Sequence, residues 1–526
     1  MTGIRRNVAI CAVLVAAAAA CGGGDDDAAE PGSSEGSSDA SVELDENGTL
    51  RAAWAGGSTN WDPHMPTNVG GDFVPHSLVY DRLLYLDADM KLEPMVATEW
   101  EMASDAAHLD LTLRTDVVFH DGTPLDAEAV KASLERAQSL EGSTVASQLS
   151  SVAGVDVVDA SHVRVRLTGP TGDRVSLPYA LAQHAGMIVN PASAEEPTIT
   201  EPAGSGPYTF AAGDSDNLTQ VFVRNDDYWD PEVPKVARYE VHTILDDTQR
   251  LNAFRAGQLD VVLVRASQYN DAEALAEGPT ADLFEYETMS PQGLYLNTST
   301  PGLDDPDVRR AISLAIDRQA ISTALHAGKC APTVQPLGSA ALGYDAALDE
   351  AIAYDVDEAQ TLLEDAGAED LELSLLVGDS PVLLPVAEVV QEQLAEIGIT
   401  VTISPIPATE IRTTWRQGDY DMNVNTILAG VEASFTMDSY LLENVGPVPD
   451  ELTGLLDEAK EQPLESTERA DAFRAVNAEL AESPIHVPIC SPATMWLAND
   501  KVVGADEIPF SVVAPFWDPR PLGMTS

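Results

Sequence analysis

Basic residues are scarce in this chain: 28 lysines and arginines stand against 86 aspartates and glutamates over 526 residues, a formal net charge of −58. A surface of that sign repels phosphate backbones and anionic lipid headgroups, which disfavours binding to nucleic acid or to a membrane face. The excess suits a solvated surface in a salty habitat, with a preference for cationic ligands as the alternative reading. Cysteine is nearly absent, with four residues, and the nine histidines are scattered. No C-x-x-C pair or His/Cys cluster supports zinc, so neither a metal nor another cofactor is expected. The P-loop, H-E-x-x-H and G-x-G-x-x-G are missing, and G-x-S-x-G occurs only as Gly32-Ser33-Ser34-Glu35-Gly36 within an acidic Ser/Gly-rich stretch, so an enzyme is not expected either. A secreted hydrolase of unrecognised type is the alternative in that class. No apolar run reaches the about 20 residues that a transmembrane helix needs.

What is present starts at the N-terminus. Arg5 and Arg6 precede thirteen apolar residues, Val8 to Ala20, in the layout of an export signal over residues 1–20. Cys21 follows Ala18, Ala19 and Ala20 and precedes Gly22, Gly23 and Gly24. This resembles the lipoprotein signal, in which the cysteine thiol is acylated and becomes the new N-terminus. Ala18 stands where leucine is usual, and Ala18-Ala19-Ala20 also fits the ordinary A-x-A cut of a freely secreted protein. Residues 21–47 carry no lysine, arginine or aromatic residue and repeat Asp, Glu, Ser and Gly. Such a stretch buries too little apolar surface to offset the entropy of ordering, so a disordered acidic tether is expected. Signal removal eliminates Cys11 and acylation occupies Cys21, which leaves Cys330 and Cys490 as an even pair in an oxidising compartment. A disulfide is the favoured reading and two free buried thiols the alternative.

The remaining roughly 480 residues suffice for two or three packed domains. Leu109, Leu111 and Leu113 alternate with polar residues as in a half-buried strand, and Val117 to Phe119 extends the sheet after a turn. Asp126 caps a helix with Ala127, Val130, Leu134 and Ala137 on one face; Val155 and Val157 pair with Val163, Val165 and Leu167 across Asp159 to Ser161. This middle region reads as a small α+β unit. Asp247 is placed to cap a helix ending at Gly257, and Leu259 to Val264 reads as a parallel strand buried on both faces. Asp305-Pro306 starts a helix whose stripe runs from Val308 to Ile316, and Ala359 to Ala366 gives another ended by Gly367. Leu371 to Val377, a helix through Val386 and Ile397, and Ile399 to Ile403 read as strand, crossover helix and strand. Gly204-Ser205-Gly206-Pro207-Tyr208 precedes a strand, so it reads as a turn whose glycines supply positive φ and not as a phosphate loop.

Several motifs then occur in one order: Trp61-Asp62-Pro63, Tyr80-Asp81-Arg82-Leu83, Leu92 to Ala97 with Glu99-Trp100, and Leu113-Arg114 leading to Val117 through Leu125. Gly204 to Tyr208, Tyr228-Trp229, Gly257-Gln258-Leu259-Asp260, Leu294 to Asn297, Asp307 to Ile312 and Ala315 to Arg318 follow, then Tyr354-Asp355 and Leu394 to Val401. Together they resemble the family 5 extracellular solute-binding proteins, the dipeptide, oligopeptide and nickel receptors of ATP-binding-cassette importers. The resemblance implies an α/β, two-lobed periplasmic-binding-protein-like fold with an extra inserted α+β domain. Domain I would comprise residues 48–79, 200–288 and 500–526, domain II residues 80–199, and domain III, the second lobe, residues 289–499. A bridge between Cys330 and Cys490 would clip the second lobe without blocking a hinge.

Hinge closure around a small solute, most directly a short peptide, would be the signal read by a permease. The implied partners are that ligand and that permease, with the membrane reached through the N-terminal lipid only and the protein acting as a monomer outside the cytoplasmic membrane or in the periplasm. In peptide-binding relatives an Asp in a Trp-rich segment after the Gly-Asp-Tyr-Asp helix end pairs with the ligand's α-ammonium. Here Gly418-Asp419-Tyr420-Asp421 is followed by Leu428 to Ser434, with Glu432 as the nearest acid. Trp61, Trp415 and Trp517, with Trp54, are candidate aromatic walls of the cleft, and Asn60, Tyr295, Asn297 and Asn425 candidate hydrogen-bonders; each also has an ordinary place in a core. Oligosaccharides, nickel complexes and opines are the alternative ligands.

Overall fold

The computed structural model describes residues 43–526 except 56–59, 67–68, 89–90, 170, 352–353, 408–409, 428, 431, 464–465 and 509–517. The expected signal, the tether with Cys21, and Trp517 lie outside the described residues. Among the described residues no helix is long and apolar enough to cross a membrane.

One 12-stranded sheet runs through both lobes. Its strands are β1 (Thr49–Trp54), β2 (Tyr208–Phe210), β3 (Thr219–Arg224), β4 (Arg238–Thr243), β5 (Val261–Val264) and β6 (Ala281–Glu287), followed by β7 (Gln292–Leu296), β8 (Cys330–Pro332), β9 (Glu372–Gly378), β10 (Thr400–Ile406), β11 (Met422–Thr426) and β12 (His486–Asn499). The order is β10-β9-β11-β7-β12-β5-β1-β4-β3-β2, with β6 and β8 also on β12. Strand β12 therefore serves both lobes: its first half pairs with β7 from Tyr295↔His486 to Gln292↔Cys490, and its second half with β5 from Val264↔Met495 to Val261↔Ala498. The pairing partner changes inside this strand, between Cys490 and Met495, where one continuous extended segment passes from β7 to β5 within the same sheet.

The inserted unit has its own antiparallel sheet of Ala97–Met102, His108–Leu113, His162–Leu167 and Val152–Asp159, covered by α1 (Ala127–Ser139), and α2 (Thr171–Leu181) adds Leu177 and Leu181 to the same core. Asp126 caps α1 by accepting from the amides of Glu128 and Ala129, and Ala127, Val130, Leu134 and Ala137 are buried on its inner face. The expected strand at Val117 to Phe119 does not form. Gly122 at φ +84° folds the chain so that its amide donates to the Phe119 carbonyl at 2.8 Å, and Val118 keeps a single bridge to Pro124.

The ordered motifs are joints between this unit and the first lobe. Asp81 accepts from Ser205 Oγ (2.9 Å), Tyr228 Oη (2.8 Å), Trp229 Nε1 (3.2 Å) and Arg520 Nη1 (3.1 Å), so donors from three separate sequence segments meet on one buried carboxylate. Arg520 also donates to the carbonyls of Ser77 (2.8 Å) and Tyr80 (2.6 Å), while Asp518 accepts from Arg82. Asp62 accepts from Arg136 of α1 (2.9 Å). Gly204 and Gly206 do not adopt positive φ, contrary to the expectation; they are needed because a Cβ at Gly204 would lie 2.0 Å from the Val79 carbonyl oxygen, and one at Gly206 2.6 Å from the Val79 carbonyl carbon.

In the first lobe β1 runs parallel to both β4 and β5, and α3 (Asp247–Arg255) follows β4. Its cap is Asp246, which accepts the Gln249 amide at 2.7 Å; Asp247 instead meets Arg250 in an ion pair. In the second lobe β9 is parallel to β10 and β11, with α7 (Leu383–Glu396) as the crossover between β9 and β10. One face of this sheet is covered by α4 (Pro306–Leu314), α5 (Arg318–His326), α6 (Val356–Ala366) and α7, around Leu294, Leu375, Val377 and Val424. The stripe expected to Ile316 breaks at Leu314 because Asp317 caps α5 by accepting the Ala320 amide. The other face, with Tyr295 and Leu376, packs on α8 (Ala433–Leu442), α9 (Asp450–Glu461) and α10 (Thr467–Glu482), in a core shared with Leu177 and Leu181 of α2.

Candidate functional site: a cleft between two parallel-strand edges

The carboxyl ends of the parallel strands border the passage between the lobes. In the first lobe β5 ends at Val264, which pairs with Met495; in the second lobe β11 ends at Thr426, which pairs with Gln292 beside Cys490. Met495 and Cys490 flank the short stretch of β12 that changes lobe. Open α/β sheets bind ligands outside the carboxyl ends of their strands, so each lobe presents its binding edge to the same space. The lobes are otherwise linked in sequence by β6 running into β7, and two extended crossings make a hinge.

Buried arginines fix these edges. Arg250 donates to the carbonyls of Leu263 (2.9 Å) and Ile244 (2.8 Å), tying the ends of β5 and β4. Arg318 donates to the carbonyls of Pro488 (2.9 Å), Thr333 (3.1 Å) and Ser313 (2.9 Å), holding β12 just before the passage; burial lowers its pKa to about 10. A guanidinium suits this task because its five donors can satisfy several carbonyls at once. Cys330 and Cys490 form a disulfide, with S–S 2.00 Å, that joins β8 to β12 at the same level.

The sequence-derived site residues fall into three groups. Trp54 ends β1 and Asn425 lies one residue before the end of β11, so both sit at the binding edges, and Asn425 Oδ1 accepts the Thr426 amide at 2.8 Å. Asn60 and Trp61 lie on the segment after β1. Asn60 Oδ1 accepts the Asp62 amide (3.0 Å), and its carbonyl bonds His76 Nε2 (2.8 Å). Trp61 packs its ring 4.3 Å from Phe210.

The second group is internal to the second lobe. Tyr295 is buried, its hydroxyl donating to the Thr426 carbonyl (3.3 Å) and its ring 4.5 Å from His486. Trp415 is buried with its indole N–H on the Glu443 carbonyl at 2.7 Å. Glu432, the acid nearest the expected ammonium clamp, is fully engaged. Oε1 accepts from Arg469 Nη2 (2.6 Å) and Oε2 from the Ser434 amide (2.8 Å), so it caps α8 and neutralises a buried guanidinium instead of offering a free carboxylate. Asn297 forms the third group, beyond the end of β7 at the opposite edge of the sheet from the passage. Its amide donates to the carbonyls of Gly418 (3.3 Å) and Tyr420 (3.1 Å), which makes it a turn brace. Asp421 of the Gly-Asp-Tyr-Asp motif likewise braces, accepting from Thr300 Oγ1 (2.9 Å) and the Ser374 amide (2.8 Å).

Sequence reasoning missed residues that only topology brings to this edge. Ser290 and Gln292 are buried where β7 begins, and Gly293 lets β7 approach β11 so closely that a Cβ would lie 2.6 Å from Ile427 Cδ1. Leu245, 71% exposed after β4, and Val382, 36% exposed after β9, are apolar residues left in solvent at binding edges of opposite lobes. An exposed large apolar residue at a strand terminus is the one signal that marks them, and it needs the strand ends to be known.

Two α/β lobes that share a hinge strand and present their binding edges to one space define a receptor that closes on a solute. The chain belongs to the bacterial extracellular solute-binding proteins, family 5, whose sequence model (middle region) matches residues 91–445. It is 27% identical over 359 residues to the glutathione-binding protein GsiB of Salmonella paratyphi A, covering 66% of this chain and 68% of that protein. It is also 27% identical over 361 residues to the probable D,D-dipeptide-binding periplasmic protein DdpA of Escherichia coli K12, again covering 66% and 68%. Among solved structures, the periplasmic binding protein AgaA with agropinic acid from A. tumefaciens R10 matches with a TM-score of 0.74 at 26% identity, over 89% of this chain and 96% of that one. The chain is thus a substrate-binding receptor that works with an ATP-binding-cassette importer.

Proposed function

We propose that the protein is a monomeric receptor, tethered by a lipid on Cys21 to the outer face of the cytoplasmic membrane, that captures a short peptide by hinge closure and hands it to its permease without chemical turnover. The carrying observation is the opposition of two parallel-strand edges across the shared strand β12, since a solute touching both edges stabilises the closed form. The peptide class is favoured by relatives named for glutathione and for D,D-dipeptides. The division into domain I (48–79, 200–288 and 500–526), domain II (80–199) and domain III (289–499) belongs to the same proposal.

A thermal-shift screen tests the ligand. Glutathione, D-Ala-D-Ala and tripeptides are set against agropinic acid, an oligosaccharide and nickel with histidine. A ligand at a hundred times its dissociation constant adds about 2.7 kcal/mol to stability. Stabilisation by peptides, with a fall in the radius of gyration by X-ray scattering, supports the reading. Stabilisation by the opine or the sugar alone overturns the peptide class, and turnover of chromogenic ester or peptide substrates overturns the receptor-only role.

A further inference from the structure

A side-chain cluster beside the hinge is not used by solute capture. His326 ends α5, Cys330 starts β8 and Cys490 lies on β12, and one ligand atom from each falls within 4.8 Å of the others. All three are buried, at 4%, 0% and 0% exposure. We propose that when the Cys330–Cys490 disulfide is reduced, His326, Cys330 and Cys490 form a binding site for a thiophilic divalent ion of the zinc class, so that disulfide and ion are alternative clasps on the hinge strand. This inference is independent of the ligand that the cleft takes.

The local chain is built for such a site. His326 and Cys330 are separated by three residues, a spacing within the short loops that hold structural zinc. Ala327 at φ +51° and Gly328 at φ +77° make the tight turn that brings them together, and Ala327 is one of two non-glycine residues with positive φ among those described. Both turn residues are exposed, whereas the three side chains of the cluster are buried. Gln292 Oε1 lies 3.1 Å from His326 Nε2. A hydrogen bond that orients the ring is the usual outer support of a metal-bound histidine. Two thiolates and one imidazole favour zinc or a similar borderline ion over calcium or magnesium, which take oxygen ligands.

The steps balance with an external dithiol or phosphine as reductant. Two electrons and two protons convert the S–S bond to two thiols while the dithiol becomes a disulfide or the phosphine, with water, its oxide. Binding of the ion then releases the two thiol protons.

Cobalt(II), whose thiolate complexes absorb strongly, is the probe in place of zinc. The full chain carrying C11S and C21S, so that only two thiols remain, is reduced with phosphine, checked for folding by circular dichroism and titrated with cobalt. One equivalent is expected to give a thiolate-to-cobalt charge-transfer band that zinc displaces and that re-oxidation abolishes. Cys490→Ser removes the band, and His326→Ala weakens cobalt binding by about tenfold or more while the fold persists. Folded, reduced protein without the band, a band undiminished in Cys490→Ser, or a disulfide that cannot be reduced in the folded chain would each overturn the proposal.

Discussion

Arg469 of α10 closes on the carboxylate of Glu432 at the start of α8, with Nη2 2.6 Å from Oε1 and neither side chain more than 8% exposed. The same guanidinium donates to the carbonyls of Ala459, Lys460 and Gln462 at the end of α9, so one charge organises three helices around the segment that follows β11. Burying an ion pair costs desolvation, and the remaining hydrogen bonds offset that cost only while both partners are present.

Removing one partner is therefore expected to be severe. Arg469→Met should destabilise the second lobe by about 3–5 kcal/mol. Adding Glu432→Gln should recover part of the loss, because no uncompensated charge then remains inside. Denaturant unfolding of the two variants checks this, and equal losses would show that the pair is not coupled.

Two glycines should behave differently on substitution by alanine. At Gly257, φ is +69° with no atom within 4 Å of a new Cβ, so only backbone strain is felt, about 1 kcal/mol. At Gly204 the new methyl meets the Val79 carbonyl at 2.0 Å and the Tyr80 ring at 2.8 Å, and overpacking of about 3 kcal/mol is expected. The difference in melting temperature between Gly204→Ala and Gly257→Ala reads it out.

Acid should weaken the fold through two buried histidines. Burial lowers His486 to about 3, with its Nδ1 accepting the Leu296 amide at 3.1 Å; burial, with Arg136 next, lowers His64 to about 4. Both are held neutral in the folded state, whereas the unfolded chain takes up protons near the ordinary histidine value of about 6.5. Their contribution is thus complete above that pH and is lost as the pH falls through about 4 and about 3. His486→Gln is expected to flatten the decline of the unfolding midpoint between neutrality and about pH 4. An unchanged slope would remove His486 from the account.

Cys21→Ser should move the protein from the membrane fraction to the medium, or to the periplasmic fraction, without altering ligand binding by the folded lobes. A tether raises the encounter rate with the permease by holding the receptor within reach, so growth on the transported solute should fall while affinity stays constant. Retention in the membrane fraction would refute the anchor.

Local elements were legible because their causes are local. The α1 cap at Asp126, the Asp305-Pro306 start of α4, the Gly367 stop of α6 at φ +68°, and the β9–α7–β10 crossover each follow from neighbouring residues. The motifs that carried the resemblance were legible as an order but not as a purpose. Their partners are far apart in the chain: Asp81 with Arg520, Asp62 with Arg136. Candidate site residues were harder for the same reason. Asn297 and Trp415 have the chemistry of ligand contacts, yet register and burial turn both toward the protein's own backbone.

The chain by itself determined an acidic surface and most of its helix starts and strands, since charge, helix caps and strand alternation act over a few residues, and the two-lobed binding fold followed only from the resemblance of its ordered motifs to a known family. Only the tertiary structure decided where the scarce cations go. Arg82, Arg136, Arg250, Arg309, Arg318, Arg469 and Arg520 are buried, and no lysine is buried among the described residues. A planar guanidinium can satisfy several carbonyls or a carboxylate out of water, whereas an ammonium is more strongly hydrated. The arginines thereby hold the interior while the surface is left acidic, and that partition depends on contacts between residues up to hundreds of positions apart.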